Sequence, residues 1–415
     1  MCYAIKNIKM ETFPPSYTPS PPSPSYSTKP LPGELTVVES RRVTAQPRTG
    51  VFRRITDDVT LVLKDQLPGS VQPSYGREGS VRGHLTLRGS EEIRSVSLRF
   101  EGQLSTHVAG TSCTTTLFRD SYKMWQRDPS GEPCPSTIPF ALSFPPTFQD
   151  GRETRHLPPS YEGAYGGATC SYTLTVAVSK QRKFLSFLPS GDILTVPLQY
   201  IPRFRPHAPI LPSHLPFMST VKSSPEEWHQ VMCLMKTVQS SKLAPIECLL
   251  FVPAVQVYAL SDTIPVHLQL RAPRPSLAPF LEPSRCSSES SSTAGGISIS
   301  IYLLRQIVIQ AHGTKIASSR ILGEGKIRPS SGSSGDSHAF HKLGDGLDSL
   351  DWDGEVRCSE DVTIASFSTS QLVMKDFIVL SLTPSEPLKS PLIAVKHCHP
   401  IRLVTDPWTD QAPPW

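Results

Sequence analysis

The chain has 415 residues, more than one β-sandwich of ordinary size uses and enough for two domains with linkers. Its net charge of +5 is spread over scattered basic residues with no long Lys/Arg block, which argues against a nucleic-acid partner. Proline, present 42 times, is about twice its usual share of roughly 5% and disfavours a helical architecture, because it fits turns, sheet edges and extended tails.

The opening residues, MCYAIKNIKMETF, lack the uninterrupted apolar stretch of a signal peptide, and no run of about 18 apolar residues follows anywhere. Residues 1–48 are proline- and serine-rich with little to bury, so they are expected to form a disordered tail of polyproline character. From about Val51 the pattern changes. In IRSVSLRFEGQL, Val96, Leu98 and Phe100 alternate with Ser97, Arg99 and Glu101, the period of a strand with one buried face. The same alternation recurs at Tyr172–Val178, Ile193–Tyr200, Ile264–Leu270, Ile297–Leu303 and Phe377–Leu382. Many short alternating runs between Pro, Gly and Ser predict an all-β chain of antiparallel sandwiches.

Between them, residues 206–245 are expected to be a hinge or linker carrying one short helix. Ser224-Pro225-Glu226-Glu227 matches a capping box, and Trp228, Val231, Met232 and Met235 fall on one face at helical spacing. The expected domains are thus 49–205 and 246–410. Serine-rich stretches near 282–296 and 328–348 are expected to be disordered insertions in the second.

The sharpest motif is Pro14-Pro15-Ser16-Tyr17. Two prolines stiffen a polyproline ridge that fits the aromatic groove of a WW domain, and Tyr17 fills the adjoining pocket. The Ser/Thr-Pro pairs beside it are candidate phosphorylation sites. A second copy, Pro158-Pro159-Ser160-Tyr161, precedes a core strand and is expected to be structural. Lys180, Arg182 and Lys183, with Phe184 and Phe187, form a loop with the chemistry to touch anionic headgroups, although a solvated strand end is the commoner use of such residues. His397-Cys398-His399 would place its two imidazoles on one strand face and the thiol on the other, so no metal site is expected. Nine irregularly spaced cysteines, without a CxxC pair, predict thiols in a reducing compartment. Gly323-Glu324-Gly325-Lys326 lacks the spacing and hydroxyl of a phosphate loop, and no catalytic motif is present, so neither an enzyme nor a cofactor is expected.

Three segments carry a resemblance. They are GSVRGHLTL with IRSVSLRFEGQL, TIPFALSFPPTF with LPPSYEGAYGGATCSYTLTVAV, and SFSTSQLVMKDFIVLSLTP with HPIRLVTDPW. In wording and order over residues 51–410 the chain resembles the arrestin family, closest to its fungal α-arrestin branch. The resemblance implies two tandem antiparallel sandwiches and a cytoplasmic adaptor, recruited transiently to plasma membrane or endosomes. It would link an integral membrane transporter or receptor to a HECT-type ubiquitin ligase through WW domains. The alternative it implies is a coat-like cargo sorter of the retromer-associated type, independent of a ligase. Where visual-type members carry a phosphate-sensing arginine, GDILTVPLQYIP has Asp192 and no arginine, so a phosphate-triggered switch is not expected.

Overall fold

A computed structural model describes residues 48–77, 79–128, 132–163, 167–180, 191–281, 292–294, 296–330, 341–342 and 346–409. These belong to one compact unit, Ala45–Trp415. The expected tail, with Pro14, Pro15 and Tyr17, lies outside the described residues, as do Arg182 and Lys183.

The first sandwich opens with β1 (Gly50–Ile55), β2 (Val59–Gln66), β3 (Ser74–Tyr75) and β4 (Ser80–Leu87). The long hairpin β5 (Ile93–Val108) and β6 (Thr111–Gln126) follows, then β7 (Thr137–Ser143) and a small hairpin, β8 (Thr147–Asp150) and β9 (Glu153–His156). It closes with β10 (Tyr161–Glu162), β11 (Ala168–Lys180) and β12 (Gly191–Tyr200). One sheet runs β1-β2-β4-β7 and the facing sheet β3-β12-β11-β5-β6.

Alternation decides which side chains meet between them. Val96, Leu98 and Phe100 of β5 and Tyr172, Leu174 and Val176 of β11 all point inward and are fully buried. Phe144 centres an aromatic cluster, with ring centroids 4.9 Å from Phe100, 5.5 Å from Tyr172 and 4.7 Å from Tyr200. Gly102 makes room for it, because a Cβ there would sit 2.6 Å from the Tyr172 ring.

The second sandwich contains β13 (Trp228–Met235), β14 (Ile246–Pro253), β15 (Val257–Ala259), β16 (Thr263–Ala272) and β17 (Ser292–Ala294). The paired long strands β18 (Ile297–Ala311) and β19 (Thr314–Pro329) come next. After them come β20 (His341–Lys342), β21 (Asp348–Arg357), β22 (Leu372–Pro384) and β23 (Val395–Val404). They form one curled sheet, ordered β13-β14-β16-β21-β19-β18-β22-β23-β15. The fold-over happens inside β19, which pairs with β18 as far as Glu324 and with β21 from Gly325. Glycine is required at this corner, since a Cβ on Gly323 would lie 2.0 Å from the Arg357 carbonyl oxygen. The Gly-Glu-Gly-Lys stretch is therefore a sheet corner.

Two expectations need correction. Trp228–Met235 is an edge strand paired to β14, and only Pro225–Glu227 before it forms a helical turn. Val231 and Met235 are four apart, a spacing that serves both a helix face and one side of a strand, and both are buried. Met232 separates the two readings: a helix would bury it, but it is 68% exposed. The cap is also unused, because Ser224 makes no side-chain cap bond and the Glu227 carboxylate accepts from the Ser213 amide at 3.3 Å. The short helix of this segment is instead α1 (Phe217–Thr220), and a second single turn is α2 (Arg274–Leu277). The insertions are narrower than expected, since Ser292–Ala294, His341–Lys342 and the end of β19 at Pro329 are strand.

The sandwiches share apolar contacts. Leu372 and Met374 of β22 are buried in the first core, with Ile307 and Ile309 of β18 packed against it. Burying each large aliphatic side chain is worth about 1.5–3 kcal/mol. Polar contacts cross the same boundary: Thr106 Oγ1 donates to the Gln310 carbonyl at 3.1 Å, and the Ser370 amide to Asp150 at 2.6 Å.

Candidate functional site

The second Pro-Pro-Ser-Tyr stretch lies where the sandwiches meet. Its backbone is already committed: the Tyr172 hydroxyl donates to the Pro158 carbonyl at 2.6 Å, and the Ser160 amide to the Tyr200 carbonyl at 2.9 Å. The Ser160 hydroxyl accepts from the Tyr200 amide at 2.9 Å. Tyr161 pairs with Cys170 in the strand ladder and packs edge-on against Phe367, 5.8 Å between ring centroids. WW recognition needs an extended peptide with its prolines and tyrosine free to enter a groove. Here the prolines and tyrosine are part of the molecule's own packing.

Beside this stretch opens a cleft of about 670 Å³. Arg155, His156 and Pro159 come from the first sandwich, Phe204 from the connector, and Lys375 and Arg402 from the second. A smaller cavity of about 120 Å³ continues past Phe204 toward Tyr200 and Thr405. The connector is tied down at this point. The Phe204 amide donates to Thr405 Oγ1 at 2.8 Å, and the Asp406 amide to the Phe204 carbonyl at 3.0 Å.

The floor of the cleft holds a buried ion pair. Arg305 of β18 donates through Nε to Asp376 Oδ1 at 2.7 Å and through Nη2 to Oδ2 at 3.0 Å. Its Nη1 reaches the Ile364 carbonyl at 2.7 Å. This two-pronged geometry satisfies both charges without water. Arg155 at the rim is paired with Asp150 at 3.0 Å and with Glu153 at 2.5 Å.

A second buried polar cluster lies under the connector. His267, fully buried, meets Asp353 through Nδ1 at 2.8 Å and Asp351 through Nε2 at 3.1 Å. Burial lowers its affinity for a proton, but bonds to two carboxylates more than offset that, so its pKa is raised. Phe217 of α1 stacks on the imidazole at 3.9 Å, which fixes the connector to the sheet.

Of the residues singled out by sequence, Lys180 is described, and its Nζ lies 2.5 Å from Asp58. That charge is engaged within the fold. His399 is buried on β23, with its ring 5.0 Å from that of His229, while Cys398 is exposed. Among the described residues no group of three or more ligating side chains is arranged to hold a metal ion. No helix among them is long and apolar enough to cross a membrane.

Sequence reasoning had no means of finding the cleft. Arg305 and Asp376 are 71 residues apart, and Phe204 and Thr405 are 201 apart. The usable signals were weak: an Arg and an Asp each occupying an inward position of an otherwise apolar strand. Models of known protein families give no match to the chain, and neither do curated protein sequences.

Proposed function

We propose that the chain is a non-enzymatic adaptor of arrestin-like build that brings integral membrane cargo to a WW-domain ubiquitin ligase of the HECT type. The site of action is the cytoplasmic face of the plasma membrane or endosomes. The observation that carries the proposal is the Pro14-Pro15-Ser16-Tyr17 motif in a proline-rich segment ahead of two tandem sandwiches. The contrast with Pro158–Tyr161 supports it. That copy is held by three hydrogen bonds and a ring contact, which leaves residues 14–17 as the copy for docking.

The test is binding of the full chain to isolated WW domains by fluorescence polarisation. Removing the aromatic anchor in Tyr17→Ala should weaken binding by about tenfold or more. Tyr161→Ala should leave the affinity unchanged. Undiminished binding by a folded Tyr17→Ala chain would sink the proposal.

A further inference from the structure

The outer strand of the second sandwich carries one half of a thiol pair. In the register of β13 against β14, Cys233 lies directly opposite Cys248, and both are free thiols. Cys248 is fully buried in the second core. Cys233, on the same strand face as Val231 and Met235, packs against that core and keeps part of its surface in solvent. Contact with the Cys248 side chain draws the pKa of Cys233 below the usual thiol value. The same contact, with burial, drives that of Cys248 well above it. Other strand cysteines lack such a neighbour: Cys113, Cys170 and Cys398 face Thr106, Leu104 and Val379 across their ladders.

The backbone brings the two sulfurs within bonding reach. Opposite residues of an antiparallel ladder have Cα atoms about 4.5–5.5 Å apart, inside the roughly 4.4–6.8 Å that a disulfide spans. Their Cβ atoms, about 4.5–5.5 Å apart, must close to about 3.5–4.5 Å. β13 can make that move because it is the outermost strand of its sheet, hydrogen-bonded in a ladder on one side only. Exposure divides the roles. A reagent from solvent meets Cys233, whose depressed pKa supplies the reactive thiolate, and Cys248 stands behind it.

We propose that Cys233 and Cys248 form a redox site, closed to a disulfide by a hydroperoxide and reopened by a small thiol such as glutathione. With hydrogen peroxide, the Cys233 thiolate attacks one oxygen and the O–O bond breaks. The departing hydroxide takes up a proton to become water, and Cys233 is left as a sulfenic acid. The Cys248 sulfur then attacks the Cys233 sulfur, an S–S bond forms, and the sulfenic oxygen leaves as water with the Cys248 proton. The two thiols together give up two electrons and two protons, which the peroxide takes in becoming two waters. Two molecules of the small thiol reverse the change and leave as their own disulfide. Because β13 leads directly out of the connector, the bond fixes covalently the strand by which the connector enters the second sandwich. The site is independent of the WW-domain proposal and survives its failure.

The experiment treats the reduced full chain with hydrogen peroxide, alkylates the remaining thiols and maps the tryptic peptides. Cleavage after Lys236 and Lys242 puts the two cysteines on separate peptides, so the expected product is 223–236 joined to 243–271. Glutathione should return both thiols. The join should vanish in Cys233→Ser and persist in Cys398→Ser, which removes an exposed thiol. In Cys248→Ala, oxidation should stop at a sulfenic acid on Cys233 that dimedone traps. The oxidised parent should melt a few degrees above the reduced parent, because the closed loop restricts the unfolded chain, and Cys233→Ser should show no such gain. No joined peptide at a peroxide dose that oxidises Cys398 overturns the inference. A join that forms only in urea, links two chains, or resists glutathione overturns it equally. These readings come from the parent chain, so they hold even where Cys248→Ala fails to fold.

Discussion

Replacing Asp376 by asparagine tests how the cleft is held together. The substitution keeps the shape and removes the charge that faces Arg305, whose side chain is 7% exposed against 0% for Asp376. The guanidinium would retain its bond to the Ile364 carbonyl and lose its counter-charge in a place water does not reach. Breaking a buried pair from one side costs about 3–5 kcal/mol. With an m-value of about 3 kcal/mol/M, the urea midpoint should fall by roughly 1–1.7 M.

The comparison with the double variant Arg305→Met/Asp376→Leu is the stronger half of this test. Replacing both charges by apolar groups of similar volume is often neutral, so the double variant should be more stable than Asp376→Asn. Tryptophan fluorescence and circular dichroism should give coincident curves if the two sandwiches unfold together through their shared core. A single variant within about 1 kcal/mol of the parent, well under the cost of an uncompensated buried charge, would refute the reasoning. So would a double variant no better than the single.

Two further outcomes follow from local geometry. Burial, His229 and His397 pull the pKa of His399 down to about 4. An unfolded histidine titrates near 6.5, so its unfolded form binds the proton first, and stability is present above about pH 6.5 and lost as pH falls toward 4. The loss from this residue is on the order of 3 kcal/mol. His399→Phe should flatten unfolding midpoints measured between pH 7 and pH 4.5, and an unchanged slope would count against the assignment. Gly102→Ala would place a methyl group 2.6 Å from the Tyr172 ring and 2.9 Å from that of Phe118, so thermal melts should show a loss of about 1–3 kcal/mol. A melt matching the parent would show that the aromatic cluster yields without cost.

The strands were legible because a sandwich writes its burial into the sequence with a period of two. The inward set Val96, Leu98 and Phe100 and the set Tyr172, Leu174 and Val176 are buried as the alternation requires. The misreading of Trp228–Met235 shows where that signal fails. An eight-residue run with apolar residues four apart fits either period, and pairing to β14 decided it, not propensity. The insertions were overextended for a related reason. Serine-rich composition says little about which residues at its margins complete a ladder, and Ser292–Ala294 does so against β18. The junction was illegible throughout, because Phe204 and Thr405 meet only when both sandwiches have folded.

The same dependence on context governs the second Pro-Pro-Ser-Tyr stretch. A WW domain can take such a peptide only where the backbone groups around it are free. At Pro158–Tyr161 they are paired to Tyr172 and Tyr200, whose hydroxyl and backbone belong to the first core. That corner also walls the cleft that receives Phe204, and Phe204 is pinned in turn to Thr405 at the end of β23. A rotation of one sandwich against the other would have to withdraw Leu372 and Met374 from the first core and break the Asp150–Ser370 contact together. Each apolar withdrawal alone costs about 1.5–3 kcal/mol.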